Sequence, residues 1–286
     1  MKTLTAVLMM LLLGASGVLA DEVDEGLSSR ASLELKNNTR EMIRLGISKD
    51  DAIEMVQLME RSRFQNQEMI EAQNVVMEAR GQGLPEGPVM SKAREGIAKQ
   101  VGDKAVVQAM EQVRSRYAFA YAQASKMSLS RNQANRLGDI IAQGLAAGMT
   151  EKDMDAVRDQ LQLRTRLMTR NQAEELALET CNTVRTMARV GVRSANAADL
   201  VSEALQNNYQ AREMKTLRHS FMHRSSNENP DKLAAGYARG IRAGMSADGL
   251  AEAGRGQSAA DGKGASGGSA GGGNGGSGGG AGNGGK

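Results

Sequence analysis

The sequence predicts an all-α chain: an array of helical hairpins joined by tight Gly-Ser/Thr corners, behind an export leader and ahead of a disordered Gly-rich C-terminal tail. Three observations carry that expectation. Apolar residues recur at intervals of three and four, as in Ile53, Val56 and Met59, or in Val201, Leu205 and Tyr209 continued by Met214, Leu217 and Phe221. Alternating runs of β-branched and aromatic residues, which would mark strands, do not occur. A short glycine-centred junction returns along the chain.

The elements follow in order. Residues 1–20 read as a signal peptide: Lys2 supplies the positive start, and Ala6 to Leu13 is an apolar run too short to span a bilayer. Val18-Leu19-Ala20 closes it with a small residue where a signal peptidase cuts, so cleavage is expected near Ala20 and the mature chain is expected to be periplasmic or secreted. No cysteine stands there to take a lipid, and no later stretch is apolar enough to cross a membrane. Residues 21–36 form an acidic, weakly ordered start. The helical-hairpin array occupies 37–252. From 253 to 286 Gly, Ala, Ser and Asn replace apolar bulk, and such a segment cannot offset its ordering entropy.

Within the array, Ile43-Arg44-Leu45-Gly46-Ile47-Ser48 returns as Leu145-Ala146-Ala147-Gly148-Met149-Thr150 and as Ile241-Arg242-Ala243-Gly244-Met245-Ser246. A looser copy runs from Ala188 through Gly191 to Ser194, and a more degenerate one is Val101-Gly102-Asp103. The glycine suits the left-handed residue that ends a helix, the next apolar residue covers the last turn, and the Ser, Thr or Asp caps the following helix. The three prolines mark two further breaks, Gly81 to Pro88 and Ser225 to Pro230. Ser130-Arg131-Asn132-Gln133 and Thr169-Arg170-Asn171-Gln172 both have the Ser/Thr-x-x-Gln form of a capping box, and duplication of a hairpin explains the pair.

Composition bounds function by exclusion. A net charge of +3, one unit of which leaves with Lys2, is spread through both signs and gives no footprint for nucleic acid. Aromatics are only 2% and Trp is absent, whereas Met reaches 18, which gives an adaptable core and surfaces suited to varied partners, or methionine simply replaces leucine as a good helix former. The single cysteine, Cys181, excludes an intramolecular disulfide and reads as a small buried hydrophobe, with an interchain disulfide as the sharper alternative. No catalytic or cofactor-binding constellation stands out. The two histidines, His219 and His223, are spaced i, i+4 with Met222 beside them, which puts both imidazoles on one helix face and offers a nitrogen and sulfur set for a transition metal. Arg218 and Arg224 next to them oppose a cation, and no Glu completes a hydrolytic pattern.

Leu129-Ser130-x-x-Gln133 and Met168-Thr169-x-x-Gln172 resemble the Leu-Thr-x-x-Gln motif of the Spy family of periplasmic helical chaperones. That resemblance implies a cradle-like surface holding unfolded envelope proteins. The stretch from Gly83-Leu84-Pro85-x-Gly87-Pro88-Val89 to Lys92-x-x-Glu95-Gly96-Ile97-Ala98-Lys99 looks like a segment of uncharacterised exported bacterial helical proteins, which bring no activity with them. The reading from residues is therefore a non-enzymatic, exported scaffold with protein partners. The alternative is a metal-binding or stress-sensing protein using His219, Met222 and His223.

Overall fold

The structure, a computed structural model, describes residues 22–127 and 130–253, and these contain helices and turns but no strand. The expected leader with its expected cleavage site near Ala20, Leu129, and the expected tail from Gly254 onward lie outside the described residues. The body is built from α1 (Leu33–Arg44), α2 (Lys49–Arg61), α3 (Asn66–Gly81), α4 (Gly87–Ala98), α5 (Asp103–Met127), α6 (Arg131–Ala146), α7 (Glu151–Thr165), α8 (Arg170–Arg189), α9 (Ser194–Gln206), α10 (Ala211–Ser225) and α11 (Pro230–Arg242). Short helical segments at 22–26 and 247–253 flank them. No described helix is long and apolar enough to cross a membrane.

Away from the junction of α4, α5 and α6, each helix packs chiefly on the next but one, which divides the body into two rows. The odd row runs α1, α3, α5, α7, α9, α11; the even row pairs α2 with α4 and α6 with α8 and α10. Row neighbours are parallel. Between α7 and α9, Thr150 meets Ser194 at the starts and Arg164 meets Asn208 at the ends, at 2.8 and 3.4 Å. The even row is interrupted after α4. There α5, 25 residues long, packs against α3, α4, α6 and α7 and joins the two stretches of the array.

The apolar stripes account for the packing. Leu233, Ala234, Tyr237, Ala238 and Ile241 are the buried face of α11, and Met214, Leu217 and Phe221 that of α10. Helix α3 lies between α1 and α5 and accordingly buries a wider arc, including Met69, Ile70, Val76 and Ala79. Met42, Met55, Met59, Met110, Met154 and Met187 are fully buried and Met69, Met90, Met149 and Met214 are buried with them, so most of the described methionines serve as core in place of leucine. Each such side chain contributes about 1.5–3 kcal/mol by burial.

The corners are more numerous than the glycines suggest. Among the described residues Gly46, Arg63, Gly83, Gln100, Gly148, Gly191, Asn208 and Gly244 take positive φ, from 56° at Gln100 to 113° at Gly148. At each, that residue's N–H reaches the carbonyl three back and the next N–H the carbonyl five back. At the first corner, Gly46 N donates to Ile43 O at 2.9 Å and Ile47 N to Met42 O at 3.1 Å. This is the Schellman stop, which satisfies carbonyls the helix leaves open. The corner expected at Gly102 is corrected to Gln100: Val101 N bonds to Gly96 O at 3.0 Å, so the left-handed residue must precede Val101, and the glycine arrives too late to fill that slot. Gly46 to Gly83 and Arg63 to Gln100 are equal intervals, one hairpin each.

The caps depart from expectation in two places. Thr150 accepts from Asp153 N at 3.1 Å and Ser246 from Gly249 N at 3.1 Å, as the pattern requires. Ser48 makes no side-chain cap bond. Ser194 is already inside α9, whose N-cap is Arg193, and its hydroxyl instead accepts the N–H of Thr150 at 2.8 Å. That bond belongs to a series. Gln65 N donates to Asp103 Oδ2 at 3.2 Å and Arg193 N to Asp231 Oδ1 at 2.9 Å. The free amide beyond a corner is satisfied by the start of the next helix in the same row. Thr169 and Gln172 form a reciprocal capping box, and Ser130 accepts from Gln133 N at 3.4 Å. The acidic start also packs more firmly than its composition suggests: Val23 and Leu27 are buried, and Asp24 pairs with Lys36 at 3.0 Å and Arg40 at 2.8 Å.

Candidate functional site

Helix α10 turns Met214, Leu217 and Phe221 inward, which leaves His219, Met222 and His223 exposed. The two imidazoles share the solvent side one turn apart, as their spacing required. The structure brings no third ligand of the usual kind to them: among the described residues no three His, Cys, Asp or Glu side chains converge as a metal site. The neighbouring arginines are engaged. Arg218 Nη2 meets Glu179 Oε2 at 2.7 Å, and Arg224 Nε meets Glu228 Oε1 at 2.8 Å while its guanidinium lies 5.4 Å from the centre of the Tyr237 ring.

Met222 faces something the sequence did not show, a groove between α8 and α10. Arg185 and Arg189 line one wall, Arg218 and Met222 the other, and Val190 and Ser225 lie toward its end. No carboxylate is among its lining residues. Arg185 donates to Gln143 Oε1 at 3.0 Å and to Asn182 Oδ1 at 2.9 Å; Arg189 donates to the same Gln143 oxygen at 2.8 Å. These acceptors are neutral amides. They orient the guanidinium groups without cancelling their charge. Glu179 offsets Arg218 alone. Burial, with the like charges of Arg189 and Arg218, pulls the Arg185 guanidinium below its ordinary value. The Nε atoms of Arg185 and Arg218 are buried with no hydrogen-bond partner.

A second groove lies in the odd row, between α3 and α5, and has the opposite sign. Glu71 and Glu78 stand on one side, Glu111 on the other, and Val75 and Val107 form an apolar floor. Arg114 partly neutralises it, donating from Nε to Glu111 Oε2 at 2.8 Å and lying 3.5 Å from Glu78. That guanidinium holds the Glu111 carboxyl below its ordinary value. A near-neutral chain thus carries a basic groove in one row and an acidic groove in the other. Charge interspersed along the sequence hides both, because their walls come from helices separated by a whole hairpin.

Thr169 and Gln172 are fully accounted for as a helix cap, so these residues lend no separate support to a chaperone surface. Cys181 is buried at 2% exposure, and burial pushes its thiol up to about 12. No protein-family model, no curated protein and no solved structure matches the chain.

Proposed function

We propose that the chain is a non-enzymatic helical scaffold of the bacterial envelope, exported through its leader and holding polypeptide partners in the grooves between row neighbours. The observation that carries this reading is the array itself. Parallel helices repeated along a row offer extended grooves rather than one deep pocket, and repeat arrays of this kind present long binding surfaces. The grooves are edged by long, adaptable side chains, arginine, glutamate and the half-exposed Met222. The mature chain is expected to slow light scattering by a chemically denatured envelope protein diluted into buffer, and to co-elute with it on size exclusion. Undiminished scattering with separate elution overturns the reading.

A second reading has one observation in its favour, the common exposed face of His219 and His223 beside Met222. Calorimetric titration with copper, nickel and zinc decides it. Binding abolished in the His219→Ala, His223→Ala variant supports a metal site, and an absence of heat removes it.

A further inference from the structure

We propose that the α8–α10 groove binds an acidic, partly apolar polypeptide segment, with its carboxylates on Arg185, Arg189 and Arg218 and an apolar side chain against Val190 and Met222. This rests on the scaffold reading and names the partner's chemistry. Three guanidinium groups line one groove, and among the described residues the one carboxylate ion-paired with them, Glu179, takes only Arg218. Gln143 accepts from both Arg185 and Arg189, which fixes the two donors side by side on α8. Guanidinium groups so oriented favour two-pronged contact with a carboxylate.

The position of the groove separates a peptide from a phosphate. Val190 and Ser226 are the C-caps of α8 and α10, so the groove lies where both helices end. Helix C-termini carry partial negative charge, which suits the N–H groups of a peptide backbone, donors that inorganic phosphate at neutral pH largely lacks. Ser225 and Ser226 already donate to the carbonyls of Met222 and His223, at 3.0 and 2.8 Å, and leave their own oxygens as acceptors. Met222, 50% exposed, supplies a flexible apolar contact that a phosphate does not use.

The test is fluorescence anisotropy on the mature full-length chain with a short fluorescein-labelled peptide rich in glutamate and leucine, and with its glutamine counterpart. The glutamate peptide is expected to bind about tenfold more tightly, with affinity falling as salt rises. Arg189→Gln, at an exposed position, is expected to weaken it about fivefold to tenfold with an unchanged circular dichroism melt. Arg166→Gln, in the loop after α7, is expected to leave it unchanged. Equal binding of the two peptides, or no effect of Arg189→Gln, overturns the inference. So does Arg189-dependent binding of inorganic phosphate or phosphatidylglycerol vesicles in place of the peptide. A chain that suppresses aggregation yet ignores the glutamate peptide refutes this inference and leaves the scaffold reading standing.

Discussion

Asp231, at the start of α11, accepts the backbone N–H of Arg193 at 2.9 Å and also meets that residue's guanidinium, so one carboxylate closes the corner one hairpin earlier in the odd row. Asn196 adds a third donor at 2.8 Å. The Arg193 amide, ahead of the side-chain donors, holds the Asp231 carboxyl below its ordinary range against the opposing push of burial. A depressed carboxylate stabilises the fold fully above its unfolded value, about 3.9, and that stabilisation is lost as pH falls through the lower folded value.

Asp231→Ala is therefore expected to cost about 1 kcal/mol at neutral pH, a figure kept small because the pair is partly solvated. The wild type is expected to lose more of its thermal midpoint than the variant as pH falls below about 4. Thermal melts from neutral to acid pH check this. Parallel curves for the two chains disprove the linkage.

The left-handed corners make a second expectation. Gly191 has φ +88° and open space where a Cβ would stand, so Gly191→Ala tests backbone strain alone. It is expected to destabilise by about 1–2 kcal/mol. Arg63, at φ 59°, already bears such strain, and Arg63→Gly is expected to change stability by less than about 1 kcal/mol in either direction, because relief of strain opposes the added entropy of the unfolded chain. Urea denaturation of both variants distinguishes them. An alanine at 191 that costs nothing removes the steric account of the corner.

The same corners show how far the sequence could be read. Gly46, Gly148, Gly191 and Gly244 were legible because glycine, apolar residue and cap stand together. Arg63, Gln100 and Asn208 were not, because a charged or amide residue occupies the left-handed slot. Their signal was the residue that follows: Phe64 and Tyr209 are buried over the helix end as Ile47 is. Ser48 and Ser194 looked equivalent to Thr150, yet hydrogen bonding separated them, since a cap depends on the geometry of one amide. The shared face of His219 and His223 was legible from spacing. The basic groove was not, because Arg185 and Arg218 are brought together by the row, and the neutrality of their partners Gln143 and Asn182 has no trace in the charge pattern.

Close approach between α5 and α6 gives a third expectation. A Cβ at Gly138 would lie 2.3 Å from Cδ2 of Tyr121, whose hydroxyl donates to Asp139 at 3.0 Å and whose ring packs 6.2 Å from Tyr117. Helix propensity alone favours alanine over glycine by about 1 kcal/mol. The overlap outweighs it here, because the ring is held on two sides. Gly138→Ala is expected to destabilise, and adding Tyr121→Ala is expected to recover part of that loss. A double variant no more stable than the sum of the two single changes excludes the clash as the cause.

Cys181 supplies the last test. It lies on α8 at 2% exposure, and burial raises its thiol to about 12. A thiol raised in the folded state favours folding fully below its unfolded value of about 8.5, and that contribution fades as pH climbs toward the folded value. The thiolate is the reactive form, so the native chain is expected to resist a thiol reagent at pH 8 and to react at once in urea. The rate of labelling in dilute denaturant is then set by how often α8 opens, which makes the same residue a reporter of local unfolding in the helix that carries Arg185 and Arg189. Because the thiol is reached only through that opening, a non-reducing gel of freshly purified protein is expected to show monomer. Rapid labelling of the folded chain, or a disulfide-linked dimer that retains its native melt, contradicts a core position for Cys181 and restores the interchain disulfide, the alternative reading of a lone cysteine.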